Sequence, residues 1–265
     1  MFLGGPMRDA DGSPVLNLLG AFTLAVDGRS IPMVYSVQRL LAVLALQARP
    51  LSRSYVAGLL WPETTSEKAA ANLRSALWRA HKIPRNVIEA SAHLITLSGD
   101  LAVDLRDADA GARRLLDLSR SCDDLLVPST RAILSADLLP EWWDDWLTIE
   151  QERFHQLRLH ALEALCERFT RLGRYGEAVD AGLGVVCSEP YRESAHYAIV
   201  RAHLAAGNRW EAIRQYERCR ELLRTELGLD PSVSFRNLLV GTRRSRRPVD
   251  PGSGVVYELA AGSSG

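Results

Sequence analysis

Five polar side chains recur along one segment at the spacing of an α-helical face. The steps between them are four, three, four and three residues, so on a helix they would form a single stripe. The stripe consists of Lys68, Asn72, Ser75, Arg79 and Lys82. Arginine and lysine neutralise phosphates, arginine can grip guanine at two points, and asparagine can do the same with adenine. The pattern therefore suits contact with double-stranded DNA, and a solvated helix face is the alternative.

The chain around this stripe is basic although the whole protein is neutral. The 265 residues include 32 basic and 32 acidic residues, whereas residues 29–85 contain nine basic residues and two acids, Glu63 and Glu67. Such a local excess of positive charge indicates phosphate binding. The candidate DNA-binding residues are Arg53, Lys68, Asn72, Arg74, Ser75, Arg79, Lys82 and Arg85.

The stripe belongs to the third of three predicted helices, which span residues 36–48, 52–61 and 64–83. Thr64 and Glu67 have the spacing of a capping box at the start of the third helix. The side of this helix opposite the stripe should pack inward, because it is small and apolar. It comprises Ala69, Leu73, Ala76, Leu77 and Ala80. Trp61 and Trp78 are large and apolar, so we expect both to pack in the core or in an interface.

Short predicted strands flank the three helices. Before them, residues 15–19, 22–26 and 30–33 have strand character, with an Asp-Gly turn between the second and third. After them, residues 86–103 predict a β-hairpin. This order suggests a winged helix-turn-helix over residues 15–104. Its third helix, residues 65–82, would lie in the major groove, and the hairpin would approach the neighbouring minor groove or the backbone.

The second half of the chain contains an internal repeat. Residues 173–178 recur as residues 207–212, 34 positions later, with the shared pattern Gly-x-x-x-Glu-Ala. That period is typical of the tetratricopeptide helix–turn–helix unit, which presents surfaces to partner macromolecules. Two units make a short solenoid, so a long helix from about Asp144 and a segment after Pro231 are expected to complete its core. The helical domain would extend over residues 105–240.

The remaining segments are interpreted as a linker and two tails. We expect Trp142, Trp143 and Trp146 to anchor the linker on the first helix of the repeat domain, with a ligand pocket as the alternative. Residues 1–14 are predicted to be flexible. Residues 241–265 are predicted to form a mobile basic tail rich in glycine and serine.

Composition also predicts the compartment. Cysteines at 122, 166, 187 and 219 lack the close spacing of a redox or metal-binding pair, which favours a reduced, cytoplasmic protein. No apolar run approaches the ~20 residues that a membrane-spanning helix needs. We therefore expect no membrane partner.

One arrangement resembles a catalytic centre. Glu152 with His155, and Glu193 with His196, have the Glu-x-x-His spacing of di-iron carboxylate bundles, which also require a further glutamate for each pair. The many arginines nearby would oppose a dication. We therefore predict no catalytic residues, no metal ion and no cofactor. The alternatives are a metal-dependent helical-bundle enzyme and a docking scaffold that does not bind DNA.

Several short motifs follow one another along the chain in a specific order. They are Leu18-Leu19-Gly20-x-Phe22-x-Leu24-x-Val26-Asp27-Gly28-Arg29, Leu59-Leu60-Trp61-Pro62, Asn72-Leu73-Arg74-Ser75-Ala76-Leu77-Trp78-Arg79, Leu138-Leu139-Pro140-x-Trp142-x-x-Asp145-Trp146, Arg192-Glu193-Ser194-Ala195-His196, Ala206-Gly207-Asn208 and Glu226-Leu227-Gly228-Leu229-Asp230-Pro231-Ser232. Each is weak alone, but their order makes the set specific. Over about residues 15–240 the chain resembles the Streptomyces antibiotic regulatory protein (SARP) family.

This resemblance implies a mainly α-helical protein, with an OmpR-type winged helix followed by an all-α, tetratricopeptide-like bacterial transcriptional activation domain. It also implies a dimer on direct repeats of promoter DNA, contact with the sigma and core subunits of RNA polymerase, and activation of a biosynthetic gene cluster. Tandem binding would need half-sites about 10–11 base pairs apart. Two features depart from the family pattern. Ala92-His93-Leu94 stands where many members have a Gly-Tyr pair in the wing, and the sequence lacks the Gly-x-x-x-x-Gly-Lys-Ser/Thr motif of the ATPase module in larger relatives.

Overall fold

The computed structural model describes residues 13–117 and 119–243, with side chains described for 13–117 and 119–239. Two small β-sheets and three helices come first, and consecutive helices follow. This order confirms the predicted fold class, a winged helix-turn-helix followed by a tetratricopeptide-like helical region.

The N-terminal region contains seven short strands and three helices within the described residues. They are β1 (Val15–Asn17), β2 (Thr23–Val26), β3 (Arg29–Ser30), α1 (Tyr35–Gln47), β4 (Leu51–Ser52), α2 (Arg53–Leu60), α3 (Ser66–Ala80), β5 (Ile88–Ala90), β6 (Leu94–Leu97) and β7 (Ala102–Val103). The three helices share one apolar core, because their leucines recur at helical spacing. The same core includes buried residues of both sheets.

The strands of the predicted hairpin belong to two different sheets. β5 and β6 form an antiparallel hairpin, and β4 pairs with the other edge of β6. The third segment, β7, instead runs parallel to β1, with Val15 opposite Ala102. The prediction of one hairpin over residues 86–103 was therefore wrong for its last strand. The reason lies in Asp104, which directly follows β7 and accepts backbone N–H bonds from Leu18 and Leu19 at 2.9–3.0 Å.

The start of α3 lies one residue later than the capping-box pattern predicted. Thr65, not Thr64, occupies the N-cap, and its hydroxyl oxygen accepts the backbone N–H of Lys68 at 3.4 Å. The Thr64 hydroxyl instead donates to the carbonyl of Trp61 at 3.0 Å and closes the turn that follows α2. This turn sets the angle between α2 and α3 in the helix-turn-helix.

The second region is helical throughout its regular structure. Its elements are α4 (Asp104–Leu116), a single 3₁₀ turn (Asp123–Leu125), α5 (Pro128–Leu134), α6 (Asp145–Arg171), α7 (Tyr175–Ser188), α8 (Glu193–Ala205), α9 (Arg209–Leu227) and α10 (Val233–Arg243). The sequence did not predict α5, which begins with Pro128 in the first helical position, where its missing N–H has no cost.

The 34-residue repeat is present in the backbone. Gly173 and Gly207 adopt left-handed φ angles of 75° and 77° at the two corresponding turns. The same closing hydrogen bond follows each turn, from Arg174 N–H to the Phe169 carbonyl and from Asn208 N–H to the His203 carbonyl. Glycine tolerates this conformation without strain, which explains why it recurs at this position.

The last helix closes the repeat region, as the sequence predicted. Phe235 of α10 is fully buried and packs edge-on against Tyr197 and Tyr216. Most of the predicted tail, from residue 244 onward, lies outside the described residues, as does most of the predicted flexible segment 1–14. Residues 241–243, which had been assigned to the tail, continue α10.

The linker before α6 packs on the winged-helix region, not on the repeat. Trp142 stacks on Phe22 with ring centroids 5.6 Å apart and meets Tyr35 edge-on at 5.1 Å. Trp146 also packs against the N-terminal core, whereas Trp143 is 90% exposed. The prediction that all three tryptophans anchor the linker on the repeat domain was wrong. Aromatic side chains pack against the apolar surface that the backbone brings near, and here that surface is formed by Tyr35 of α1 and by Phe22, which directly precedes β2.

Hydrogen bonds and charges reinforce this junction. The backbone N–H of Gly20 donates to the Asp137 carbonyl at 2.7 Å, and Leu139 donates to Leu18 at 2.9 Å. Asp144, at the start of α6, accepts from the Tyr35 hydroxyl at 2.7 Å and pairs with Arg39 at 2.6 Å. Burial, with these contacts, raises the pKa of Tyr35 to about 12. The winged helix and α6 are therefore packed together.

Candidate nucleic-acid interface

The exposed side of α3 carries the predicted stripe. Its inner side chains, among them Leu73 and Leu77, are buried against α1 and α2. We call the exposed residues the outward surface of α3; they are Lys68, Asn72, Arg74, Ser75, Trp78, Arg79 and Lys82. The structure therefore brings five of the eight candidate residues onto one helix surface and places a sixth, Lys82, in the turn that directly follows it.

The cations of this surface lack acidic partners. Among the described residues, Lys68, Arg74 and Arg79 have no side-chain hydrogen bond or ion pair within the protein. Glu67, in the first turn of α3, is the one acid on this helix and is also exposed. Unpaired cations on a rigid helix create a positive field that attracts phosphates.

Two candidate residues lie elsewhere and have protein partners. Arg53, at the start of α2, is half-buried, and its Nε donates to the carbonyl of Ser91 in the β5–β6 turn at 3.0 Å. Arg85 follows α3 and forms an exposed ion pair with Asp27 at 3.1 Å. A third basic residue of this region, Arg39, pairs with Asp144 at the junction. Three of the basic residues without an ion pair, Lys68, Arg74 and Arg79, therefore lie together on α3.

Trp78 is the residue that sequence reasoning misplaced. It was expected to pack in the core or an interface, but it is 62% exposed in the middle of the outward surface. The Nζ atom of Lys82 lies 3.5 Å from the centroid of its indole ring, a cation–π contact that orients both side chains. Arg74, Ser75 and Arg79 border a shallow depression beside the ring. The inward positions at 73, 76, 77 and 80 already fill the core, which leaves position 78 facing outward.

The β5–β6 hairpin is held at a fixed position beside the helix-turn-helix. The Ser91 hydroxyl oxygen accepts the backbone N–H of Leu94 at 3.0 Å and so tightens the turn. The backbone N–H of Arg53 donates to the His93 carbonyl at 3.0 Å, which ties the turn to the start of α2. His93 and Leu94 are exposed at the tip. The hairpin therefore has the location of a wing, without the Gly-Tyr pair.

The two Glu-x-x-His pairs have separate environments. His155 lies 3.1 Å from Glu189, while His196 is buried and bonded to the Pro190 carbonyl and to Gln215. Glu193 accepts the backbone N–H of Ser232. Across the described part of the chain, no three histidine, cysteine, aspartate or glutamate side chains are grouped as a metal site requires.

Comparison with known proteins agrees with this architecture. Residues 131–239 match the model of the bacterial transcriptional activator domain. The chain is 26% identical over 251 residues to regulatory protein AfsR of Streptomyces coelicolor, a match that covers 87% of this chain and 24% of the relative. It is 24% identical over 211 residues to regulatory protein AfsR of Streptomyces griseus, covering 75% of this chain and 21% of the relative. These matches confirm the resemblance to SARP-type regulators that the sequence motifs predicted.

The chain is also similar in fold to a solved structure. Mycobacterium tuberculosis EmbR, in complex with a low-affinity phosphopeptide, superposes with a TM-score of 0.63 at 22% identity, over 90% of this chain and 66% of EmbR. The chain spans about a quarter of the length of the two AfsR proteins that it matches. None of the helices in the described part of the chain has the length and apolar character needed to cross a membrane.

Proposed function

We propose that the protein is a sequence-specific DNA-binding transcription activator. The observation that carries the proposal is the outward surface of α3, which holds three unpaired cations beside Asn72 and Ser75. In this proposal α3 enters the major groove, where Arg79 and Asn72 can meet base edges. Lys68, Arg74 and Lys82 set the register of the helix on the phosphates.

The hairpin and the two partnered arginines act beside α3. Arg53 supports the wing through its bond to Ser91, and its remaining guanidinium donors can still reach a phosphate. Arg85 would have to exchange its exposed ion pair with Asp27 for a phosphate contact. Exposed pairs of this kind contribute little energy, so the exchange is feasible. His93, at the wing tip, approaches the neighbouring minor groove or backbone.

The helical region converts binding into activation. We assign to it the contact with the sigma and core subunits of RNA polymerase, and self-association as a dimer on direct repeats. The domain match over residues 131–239 and the regulatory names of the relatives support this role. The packed junction between Trp142, Tyr35 and Arg39 supports it as well, since it holds α3 at a fixed orientation to the repeat. The target is a promoter of a biosynthetic gene cluster.

Salt-dependent binding tests the DNA-binding part. Footprinting on the upstream regions of neighbouring genes identifies the operator, and its affinity is then measured across a salt series. We expect log K to fall linearly with log salt, and each phosphate-binding cation removed to lower the slope by about 1. The test variant is Arg74→Ala. Arg224→Ala is the matched control, because Arg224 is an exposed α9 arginine without an ion pair in the described residues.

Each outcome is decisive for one part of the proposal. Binding without salt dependence would remove the phosphate argument and favour a scaffold that docks proteins. An equal loss of slope in the Arg224→Ala control would move the DNA-binding surface away from α3. Footprints with and without RNA polymerase test the second part. Unchanged polymerase occupancy on adding the protein would contradict recruitment.

A further inference from the structure

We propose that Trp78 reads the C5-methyl group of thymine in the major groove. The inference rests on the proposed function and names a base feature that the site recognises. It concerns the one large apolar side chain on the outward surface of α3, which is otherwise polar or charged. An exposed apolar ring is stabilised when it is buried against another apolar surface.

The geometry of α3 directs Trp78 away from the protein. Successive helical residues are about 100° apart, so Ala71, Ser75 and Trp78, at steps of four and three, lie along one line, and the ammonium of Lys82, just past the helix end, lies over the Trp78 ring. That line is on the opposite side of the helix from the buried residues, which are Ala69, Leu73, Ala76, Leu77 and Ala80. Arg79 lies to one side of it and Arg74 to the other. When the cations approach phosphates, Trp78 faces the floor of the groove.

The ring is also held in place before it binds. The Lys82 ammonium lies over the indole at 3.5 Å, so the two side chains restrict each other. Ala71, about two helical turns before Trp78, presents only a methyl group and lets the helix approach the bases closely. Ala71, Trp78 and the two flanking arginines line the same depression. An ordered ring loses less conformational entropy on binding.

The chemistry of the groove decides what the ring meets. Base edges in the major groove present donors, acceptors and one apolar group, which is the thymine methyl. The indole has a single N–H donor and a wide apolar surface. A flat apolar ring therefore discriminates thymine from cytosine by contact with the methyl group, while Arg79 and Asn72 contact purines nearby.

Removing single methyl groups from the operator tests this assignment. Each thymine of the footprinted operator is replaced in turn by deoxyuracil, which differs only by that methyl. We expect the wild-type protein to lose about fourfold in affinity at one or two positions, the ratio that corresponds to one buried methyl group. Trp78→Ala should bind the normal operator more weakly and show no further loss with deoxyuracil. Trp210→Ala is the control, because Trp210 is 72% exposed on α9.

The outcomes separate the assignment from the proposed function. If the wild type and Trp78→Ala have the same deoxyuracil profile, Trp78 does not read thymine, although DNA binding stands. If the wild type binds no DNA with salt dependence, both the proposed function and this inference fail. If Trp78→Ala keeps its DNA profile but loses response to polymerase, the ring belongs to a protein contact and the assignment is wrong. Thermal melting confirms that each variant is folded.

Discussion

Arginine side chains have different surroundings in the two halves of the molecule. In the repeat region, Arg192 pairs with Glu163 at 2.7 Å, and both side chains are largely buried. On α3, Arg74 and Arg79 are exposed and, among the described residues, neither has a protein partner. The repeat region uses arginine to join its helices. The outward surface of α3 leaves the same side chain available to an external anion.

This contrast extends to most arginines of the repeat. They pair with a carboxylate on a neighbouring helix, on a linker or one turn away, in the pairs Arg131–Asp180, Arg158–Asp137, Arg174–Glu177, Arg201–Glu167, Arg214–Glu211 and Arg220–Glu217. Arg158 is itself buried, with Asp137 and His155 as partners. An overall charge of zero therefore conceals one region in which most arginines are paired and one surface on which the arginines are not.

The largest expected effect comes from a charge on the inner side of α3. Leu77→Asp buries an unpaired carboxylate and should destabilise the winged helix by about 4 kcal/mol or more. Ser75→Asp places the same charge on the outward surface, so it should keep the fold and weaken DNA binding. Near-ultraviolet circular dichroism and thermal melting compare the two. A normal melting transition for Leu77→Asp would contradict the assignment of the two sides.

Adding one methyl group to a helix tests how closely the helices of the repeat region pack. A Cβ atom on Gly182 of α7 would lie 2.5 Å from Cγ1 of Ile199 on α8. Gly182→Ala should therefore destabilise the protein by about 1–3 kcal/mol. Gly176→Ala, on the same helix with open space around it, should be neutral or stabilising by up to about 1 kcal/mol. Urea denaturation measures both. Equal stabilities would mean that α7 and α8 are not closely packed.

Two arginine truncations should separate binding from stability. Arg79→Ala should weaken operator binding by about 1–3 kcal/mol and change the unfolding free energy by less than about 0.5 kcal/mol. Arg192→Ala removes charge-assisted bonds to Glu163 and should lower stability by about 1–3 kcal/mol without affecting affinity. Paired titration and denaturation curves provide the test. A stability loss in Arg79→Ala, or an affinity loss in Arg192→Ala, would remove the distinction between the regions.

The smallest expected effect depends on pH. Burial lowers the pKa of His196, which the carbonyl of Pro190 only partly offsets. The folded state therefore binds this proton less readily than the unfolded state, whose histidine has a pKa near 6.5. Stability should be complete above that pH and fall below it, by at most about 1.4 kcal/mol per pH unit.

His196→Gln tests this expectation in melts between pH 7.5 and 5.5. The variant should lose part of the pH dependence, and His203, whose pKa burial also lowers, should account for a further part. His160→Gln, at an exposed position on α6, is the control and should melt with the wild-type pH profile. An unchanged slope in His196→Gln would show that this histidine is not buried in solution.

Local patterns were sufficient for much of the architecture. The 34-residue period predicted two turns that adopt the same backbone conformation at Gly173 and Gly207. The periodicity of α3 predicted which side chains pack inward, because core burial depends on spacing that is visible in the sequence. The family resemblance was confirmed by the domain match and the two AfsR relatives. The DNA-binding roles of the individual residues remain predictions.

Other features depended on contacts between distant parts of the chain. Trp78 has the composition of a core residue, and only the completed core shows that its position is directed outward. Trp142 could have packed on either region, and the backbone bonds of Gly20 and Leu139 decided in favour of the winged helix. The parallel pairing of β7 with β1 joins segments about 85 residues apart. The Asp104 carboxylate, which accepts the backbone N–H groups of Leu18 and Leu19, holds the same two segments together.

The sequence by itself determined the order of the helices, the inward side of α3 and the repeat turns, because each depends on residues within one or two helical turns. The tertiary structure decided which arginines pair across helices. Pairing requires a carboxylate within about 4 Å, and for Arg131, Arg192 and Arg201 that carboxylate lies on another helix, as Glu163 does for Arg192. Arg74 and Arg79 differ from Arg192 only in what the fold places beside them.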